Sequence, residues 1–168
     1  SNPPSQAAAK LIRALYPRSG ALVELAAVTE SGRSTLAWLP TPVGAVAIET
    51  ALKKAPRRAN VYFTVQPRAT QDRTGASARY SALVLDLDAE KCDAQAALQR
   101  LEALRIQPTA IVSSGGGHHV YVALDQAVPR AEGEALGAAL RRSVAPTSDA
   151  VHDAARILRV PGTRNWKF

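Results

Sequence analysis

An apolar stretch, YSALVLDLD at 80–88, ends in two aspartates that are separated by one residue, Asp86 and Asp88. Side chains alternate faces along a strand, so Asp86 and Asp88 share a face with Ala82 and Val84, while the core face receives Leu83, Leu85 and Leu87. Two carboxylates on one open face repel each other by roughly 3 kcal/mol at an effective dielectric of 20, and a divalent cation relieves that repulsion. Oxygen-only ligands favour Mg²⁺ or Mn²⁺. The alternative for this pair alone is a strand end whose acids meet solvent or cap the next helix.

A glycine-rich stretch, SSGGGHHVYV at 113–122, is the second candidate. Its three glycines, Gly115, Gly116 and Gly117, let the backbone approach a ligand closely and present N–H groups to phosphate. It lacks the Gly-Lys-Ser/Thr signature of a Walker loop. On the strand that follows, alternation places His119 with Tyr121 on the open face and His118 on the other. The alternative is a glycine hairpin turn with two incidental histidines.

Acids and cations alternate in a third stretch, SDAVHDAARILRVPGTRNWK at 148–167. Asp149 could supply a third carboxylate, with Asp153 as its competitor. The cations that could neutralise an anion are Arg156, Arg159, Arg164 and Lys167. The alternative is a surface helix with Asp–Arg pairs. Taken together, carboxylates for a metal, a glycine loop with histidine for phosphates and arginines for charge suit one task, the handling of a nucleoside triphosphate.

Hydrophobic periodicity and turn residues predict the elements that must position these groups. The expected helices lie at 4–17, 41–55, 93–106 and 129–144, and the expected strands at 21–30, 34–39, 60–67, 80–88, 109–114 and 118–124. Thr41 is expected to cap the second helix, and Leu104 and Leu136 to face the core. Strands interleaved with helices indicate a mixed α+β fold. The tail from 149 is expected to be short-helical or irregular.

The composition narrows the class of partner and the compartment. The formal net charge is +7, from 21 Lys and Arg against 14 Asp and Glu, which favours a polyanionic partner, with nucleic acid first. The polar loop at 66–79 could touch a template strand weakly through Arg68, Arg73 and Arg79. One cysteine excludes a disulfide framework and a cysteine-based zinc site. No apolar run approaches the roughly 20 residues of a membrane span, and we expect a cytoplasmic protein.

The three stretches, in this order, resemble the motifs of the archaeo-eukaryotic primase superfamily, in particular the primase-polymerases of plasmids, phages and mobile elements. Asp86-Leu87-Asp88 resembles the acid-x-acid motif I, and SSGGGHHVYV resembles motif II. The run from Asp149 through RILRVPGTRN resembles motif III, and NVYFTVQPR at 60–68 resembles the strand that precedes motif I. The resemblance covers about 60–168.

The resemblance implies a role for each matching residue. Asp86, Asp88 and Asp149 would be metal ligands, with His119 beside them as a further catalytic residue. The nucleotide phosphates would contact Ser114, Gly115, Gly116, His119, Arg159 and Lys167. The cofactor would be Mg²⁺ or Mn²⁺ in a two-metal site, without zinc.

The resemblance also implies an architecture. An N-terminal αβ unit at about 1–58 would pack on an RRM-like unit at about 59–168, with the active site in the cleft between them. The whole of 1–168 would form a single catalytic domain. We expect that it was excised from a longer bacterial, phage or plasmid protein that also has a helical domain or a helicase.

The implied function is that of a DNA primase and DNA polymerase in replication. It would transfer nucleotides from dNTPs or NTPs onto a primer strand or an initiating nucleotide, directed by a single-stranded DNA template. One alternative is a noncatalytic nucleic-acid-binding replication module of RRM type, although aromatic residues make up only 5% of the chain. Another is a rolling-circle nickase, which needs two histidines on one strand face and a nucleophilic tyrosine, here Tyr121.

Overall fold

The computed structural model describes residues 2–167 of the chain as four helices and seven strands. The helices are α1 (Pro4–Leu15), α2 (Ala45–Leu52), α3 (Ala94–Ala103) and α4 (Arg130–Val144). The strands are β1 (Leu22–Thr29), β2 (Gly32–Pro40), β3 (Asn60–Thr64), β4 (Tyr80–Asp88), β5 (Ala110–Ser113), β6 (Gly117–Val128) and β7 (Ile157–Arg159). The expected α+β class is confirmed. The short strand β7 replaces the irregular or helical tail that the sequence pattern favoured.

Two antiparallel sheets form the frame. The first has the order β2-β1-β3-β7, and the second has the order β4-β6-β5. The sequence β4-α3-β5-β6-α4, with β6 in the middle of its sheet, is the RRM-like arrangement that the resemblance implied. The sheets do not divide near residue 58, however. Both β3 and β7 lie in the first sheet, because β3 pairs with β1 and then with β7.

Strand β4 has the predicted bounds but not the predicted open face. Leu83, Leu85 and Leu87 pack against α3 and α4, as the alternation requires. On the opposite face, Ala82 and Val84 are also buried, in a cluster formed with α1 and the first sheet. Strand β4 is therefore covered on both faces over most of its length. Only the end of β4 that carries the aspartates opens to solvent.

Three local predictions about the helices are wrong. Helix α2 begins at Ala45, because the Thr41 hydroxyl and backbone N–H bond to Ala21 instead of capping a helix. Leu104 is 51% exposed because α3 ends before it, and Leu136 is 40% exposed. The face of α4 that packs closely on the sheet is instead marked by Gly133, where an added Cβ would lie 2.0 Å from the Tyr80 ring.

The topology brings three chain segments to one end of the molecule. Strand β4 ends there at Asp88, β6 begins there opposite it, and the segment that leads to β7 starts from Asp149. None of the helices within residues 2–167 has the length and apolar character that a bilayer span requires.

Candidate active site

The centre of the site is a pair of facing residues on β4 and β6. Asp86 lies opposite His119 in the strand register, and their Oδ1 and Nε2 atoms are 3.6 Å apart. Burial lowers the pKa of His119 to about 4, with the nearby Arg159 charge as a smaller cause, so the imidazole is neutral at pH 7. The His119 Nδ1 atom is buried, with no hydrogen-bond partner among the described residues.

The Asp86 carboxyl is in an environment that disfavours its charge. Burial raises its pKa above the ordinary value, and the negative charges of Asp149 and Asp88 raise it further. A cation placed among these three carboxyl groups would offset the increase in the Asp86 pKa that Asp149 and Asp88 cause. The arrangement is therefore poised for a positively charged ligand.

Asp149 lies beside Asp86 because their backbones form an isolated antiparallel bridge. Both of its carboxylate oxygens accept hydrogen bonds from Lys91 Nζ, at 2.9 and 2.8 Å. Its competitor Asp153 is instead paired with Arg156 at 2.7 Å. Of the two acids, the geometry therefore favours Asp149 as the neighbour of Asp86.

Asp88 combines an open position with a local structural role. One of its oxygens accepts a hydrogen bond from the Glu90 N–H at 2.9 Å, and its carbonyl accepts from the backbone N–H groups of Lys91 and Cys92. These bonds stabilise the turn that follows β4. The cap of the next helix is Asp93, whose side chain accepts from Gln95 and Ala96, so Asp88 does not serve that purpose.

The glycine loop connects β5 to β6 beside the carboxylates. Gly115 has a φ of 89°, which favours glycine, and the Gly116 carbonyl accepts from the Ala89 N–H at 3.0 Å. Gly117 has a different task from the one that the sequence suggested. It starts β6, and an added Cβ there would lie 2.1 Å from the Leu87 carbonyl oxygen, so close strand packing requires it.

Arg159 on β7 is positioned by neutral side chains. Its Nη1 donates to Asn60 Oδ1 at 2.8 Å, and its Nη2 donates to Asn165 Oδ1 at 2.9 Å. Its guanidinium lies 5.2 Å from the centre of the Tyr62 ring. Because these three partners carry no charge, the guanidinium retains its full charge for an anion.

Asp86, Asp88, His119, Arg159 and the glycine loop line one cleft, whereas Asp149 is not part of its lining. A cavity of about 300 Å³ is bordered by Asp86, Asp88, Ser114, Gly116, His119 and Arg159, among others. A neighbouring cavity of about 240 Å³ continues it along the glycine loop and the Pro-Gly turn after β7. Ser114, His119, Arg159 and Asn165 border both. The cleft thus brings together two carboxylates, the Arg159 guanidinium and the glycine loop.

Four residues predicted to touch nucleotide or nucleic acid lie outside this cleft. Arg68 is fully buried, and its guanidinium donates to the carbonyls of Gln66 and Asp72, so its assignment to nucleic-acid binding is wrong. Arg73 and Arg79 lie on the same loop and point to Glu24 and to the Ala127 carbonyl. Arg79 precedes β4 at the end opposite Asp88, roughly 25–30 Å along the strand.

Lys167 is the fourth residue, displaced from its expected place. It borders a separate groove together with Arg57 and Arg58 instead of the cleft that contains Asp86. The turn after Pro161 reverses the chain, so that Asn165 returns to the cleft and Lys167 passes beyond it.

Sequence reasoning missed Asn60, Tyr62 and Asn165 as functional positions. Asn60 and Tyr62 alternate along β3, inside the stretch that resembles the strand before motif I, and Asn165 ends the PGTRN run. Their polar types at regular spacing were the available signal. Their role becomes visible only because β3 and β7 pair, which joins residues 99 positions apart.

The geometry does not suit a nickase. His119 is buried and His118 is exposed, so they lie on opposite faces of β6 and do not share a ligand. The Tyr121 hydroxyl is fully buried, and burial raises its pKa well above the ordinary value. It is neither accessible to a DNA strand nor activated as a nucleophile.

The three carboxylates of the site are the candidate ligands for a divalent metal ion. Asp86, Asp88 and Asp149 supply only oxygen atoms, their charges lie close together, and this chemistry fits Mg²⁺ or Mn²⁺. Within residues 2–167, however, no three acidic, histidine or cysteine side chains converge closely enough to form a complete metal cage. The Asp149 carboxylate is instead paired with Lys91. The residues fit the ion provided that Asp149 exchanges this partner for it.

Comparison with solved structures places the fold. The chain superposes on the primase-polymerase domain of cyanophage S-2L with a TM-score of 0.64 at 18% identity, over 93% of this chain and 81% of that one. It superposes on the catalytic domain of the primase RepB' in complex with initiator DNA with a TM-score of 0.65 at 15% identity, over 98% of this chain and 79% of that one. The chain has the archaeo-eukaryotic primase fold.

A second structure of primase RepB' agrees, with a TM-score of 0.65 at 13% identity over 98% of this chain and 51% of that one. Searches with the sequence matched no protein-family model and no curated protein. The primase fold is thus recognised from the three-dimensional structure and from the short motifs. The three motifs meet at the cleft of this fold.

Proposed function

We propose that this chain is a DNA primase-polymerase that transfers nucleotides from (d)NTPs onto a primer or an initiating nucleotide, directed by a single-stranded DNA template. The observation that carries the proposal is the single cleft that joins a carboxylate wall to Arg159 and the glycine loop. Nucleotidyl transfer needs both walls, because negative charge forms on the 3′-oxygen as its proton leaves to solvent and on the pyrophosphate as its bond to the α-phosphorus breaks. The archaeo-eukaryotic primase fold supports the same reaction class.

Each wall of the cleft has a role in the proposal. Asp86, Asp88 and Asp149 would bind Mg²⁺ or Mn²⁺, which when bound activates the attacking 3′-hydroxyl and stabilises the leaving pyrophosphate. Arg159 would bind the triphosphate, and its neutral partners fix its orientation before the nucleotide arrives. Being neutral at pH 7, His119 would donate one hydrogen bond to phosphate and would not serve as a strong base.

The test is incorporation of labelled dNTPs or NTPs on single-stranded DNA with Mg²⁺ or Mn²⁺, with and without an annealed primer. The variant Asp86→Asn/Asp88→Asn should lose at least roughly 10³-fold in rate, on the order of the loss of main charged groups at a metal site. Asp125→Asn is the matched control, because Asp125 is exposed on β6 and borders neither cavity of the cleft. Product from the native chain and the control, with none from the double variant, supports the proposal. Equal rates for all three would exclude it.

One observation favours a noncatalytic nucleic-acid-binding module as the second candidate. Lys91 supplies an internal cation at Asp149, where catalysis would need a metal. Lys91→Ala distinguishes the two functions. If the site binds metal, removing the competing ammonium should tighten Mn²⁺ binding, measured by electron paramagnetic resonance. If the chain is a binding module, Mn²⁺ binds weakly to both forms, and the Asp86 and Asp88 variants bind nucleic acid as well as the native chain or better.

A further inference from the structure

A basic groove with an aromatic floor lies next to the cleft. Its cavity, of about 370 Å³, is lined by Thr29, Glu30, Ser31, Arg57, Arg58, Trp166 and Lys167. Three of these residues are cations and one is an acid. Arg164 adds a further cation, with its guanidinium 4.2 Å from the Trp166 ring centre.

The cations of this groove form no ion pair with another residue that the structure describes. Among the residues that the structure describes, no ion pair involves Arg57, Arg58, Arg164 or Lys167. Arg58 lies 5.8 Å from the Trp166 ring centre, and its φ of 61° holds the backbone in the left-handed region. Guanidinium groups stacked on an indole retain their charge, so they remain able to bind an anion, and Arg164 holds the stacking position on the ring.

One buried side chain joins the groove to the cleft. Asn60 is 5% exposed, and its Oδ1 accepts from Arg159 Nη1 and from the Trp166 backbone N–H, both at 2.8 Å. Its Nδ2 donates to the Trp166 carbonyl, also at 2.8 Å. The position of the Trp166 backbone is therefore fixed relative to the arginine at the cleft.

We propose that this groove, formed by Arg57, Arg58, Arg164, Trp166 and Lys167, binds single-stranded nucleic acid, with phosphates on the cations and a base that stacks on Trp166 in exchange for the Arg164 guanidinium. The assignment rests on the proposed function, because it supplies the template strand for the cleft. A positive groove with an aromatic ring is the arrangement that binds single strands with little sequence preference. An acidic peptide or a lipid surface could meet the same cations, but neither presents a planar aromatic base beside each anionic group, as a nucleotide strand does.

The chain offers a direct probe of the stacking. It has two tryptophans, Trp38 on β2 and Trp166. In Trp38→Phe, the remaining fluorescence comes from Trp166, and an oligo-dT strand long enough to span the groove and the cleft should quench it. In Trp166→Phe, the remaining fluorescence comes from Trp38 and should change little. Duplex DNA of equal length and heparin should quench the Trp38→Phe protein less than oligo-dT does.

Affinity for labelled oligo-dT, measured by anisotropy, gives the energetic test. Trp166→Ala should bind about tenfold more weakly. Arg58→Ala should reduce the slope of log K against log salt by about 0.7 for each phosphate that Arg58 neutralises in the native complex. Arg73→Ala, on the loop that we exclude, is the matched control and should bind like the native chain. Trp166→Phe serves as a second variant that keeps a ring, and it should bind better than Trp166→Ala.

The outcomes separate this inference from the proposed function. In one outcome the chain incorporates no nucleotide, but oligo-dT quenches Trp166 fluorescence and Trp166→Ala binds more weakly. This result would support nucleic-acid binding by the groove and exclude the polymerase function. Normal incorporation by Trp166→Ala with unchanged template KM would overturn the groove and leave the polymerase intact. If heparin competes as well as oligo-dT does and Trp166→Ala binds like the native chain, the surface attracts polyanions in general, and the inference is wrong. Quenching by anionic lipid vesicles without quenching by oligo-dT would overturn it as well.

Discussion

Two arginine-rich segments of this chain use their guanidinium groups in different ways. In the loop between β3 and β4, Arg68 donates to two carbonyls inside the protein, and Arg73 pairs with the buried Glu24. At the end of β7, Arg159 donates to neutral side chains and a carbonyl among the described residues, and after β7 Arg164 lies against Trp166. The first segment uses its guanidinium groups to stabilise the fold. The second presents them to a ligand.

The difference lies in the partners and not in the arginines themselves. A guanidinium paired with a carboxylate is largely neutralised, whereas one oriented by amide and hydroxyl oxygens keeps its charge. The loop at 66–79 contains its own acid, Asp72, and lies near Glu24. The segment 159–167 contains no acid at all. Substitutions in the first segment should therefore change stability, and substitutions in the second should change ligand binding.

Arg159→Ala should have the largest effect. Loss of one preorganised charged group at a developing phosphate charge costs about 10²–10³ in rate. The thermal midpoint should change little, because Asn60 Oδ1 still accepts from the Trp166 N–H and the exposed Asn165 side chain can bond to water. Single-turnover incorporation at saturating template measures the effect, with Arg73→Ala as the control. An equal loss in Arg73→Ala would contradict the distinction between the two segments.

Arg68→Ala should destabilise the fold by about 3 kcal/mol, since it empties a buried site and leaves the Gln66 and Asp72 carbonyls without their donor. Urea unfolding followed by circular dichroism measures the change. Arg68→Met keeps most of the volume and loses only the hydrogen bonds, so its loss should be smaller. The folded fraction of both variants should bind oligo-dT like the native chain. Weaker binding with unchanged stability would mean that Arg68 meets nucleic acid after all.

Glu24→Gln should sharpen the comparison by releasing charge from the first segment. The buried Glu24 carboxylate pairs with Arg33 and Arg73 and accepts from the Thr35 hydroxyl. The amide keeps some hydrogen bonds, so we expect a loss of about 1–2 kcal/mol in the free energy of unfolding. The released Arg73 should also raise nonspecific DNA affinity at low salt and steepen its salt dependence. An unchanged salt slope would show that the Glu24 pairing does not restrain Arg73.

Asp72 gives the smallest effect, a dependence of stability on pH. Hydrogen bonds from the Thr74 hydroxyl, and then from the Ser77 backbone, hold the pKa of its carboxyl well below the ordinary value. The folded pKa is below the unfolded one, so the stabilisation is complete above about pH 4 and is lost as pH falls through the folded pKa. Thermal midpoints of the native chain and Asp72→Asn should differ most near neutral pH and converge as the solution becomes strongly acidic. A constant difference would contradict this assignment.

Local elements and the faces of two critical strands could be predicted from the order of residues alone. The bounds of β4 at 80–88 follow from its apolar alternation, and the placement of His119 on the same face as Asp86 follows from parity along β6. The Asp93 side chain caps α3, where the predicted third helix was expected to start. These features depend on neighbours within a few residues, which a one-dimensional pattern records. Most residues that line the cleft could also be proposed from the three motifs, because each motif is a short run of adjacent residues that the sequence displays directly.

Which charges remain free, and which residues support them, depends on long-range packing. Asn60 accepts hydrogen bonds from Arg159 and Trp166, which lie 99 and 106 positions away in the sequence. Ala82 is buried against the first sheet, although the alternation along its strand predicted an open face there. The pairing of Asp149 with Lys91, and not with an arginine of its own segment, is likewise set across 58 positions. Every residue type in these contacts is compatible with several partners. Which partner each residue contacts depends on how the two sheets pack and on which side chains that packing buries.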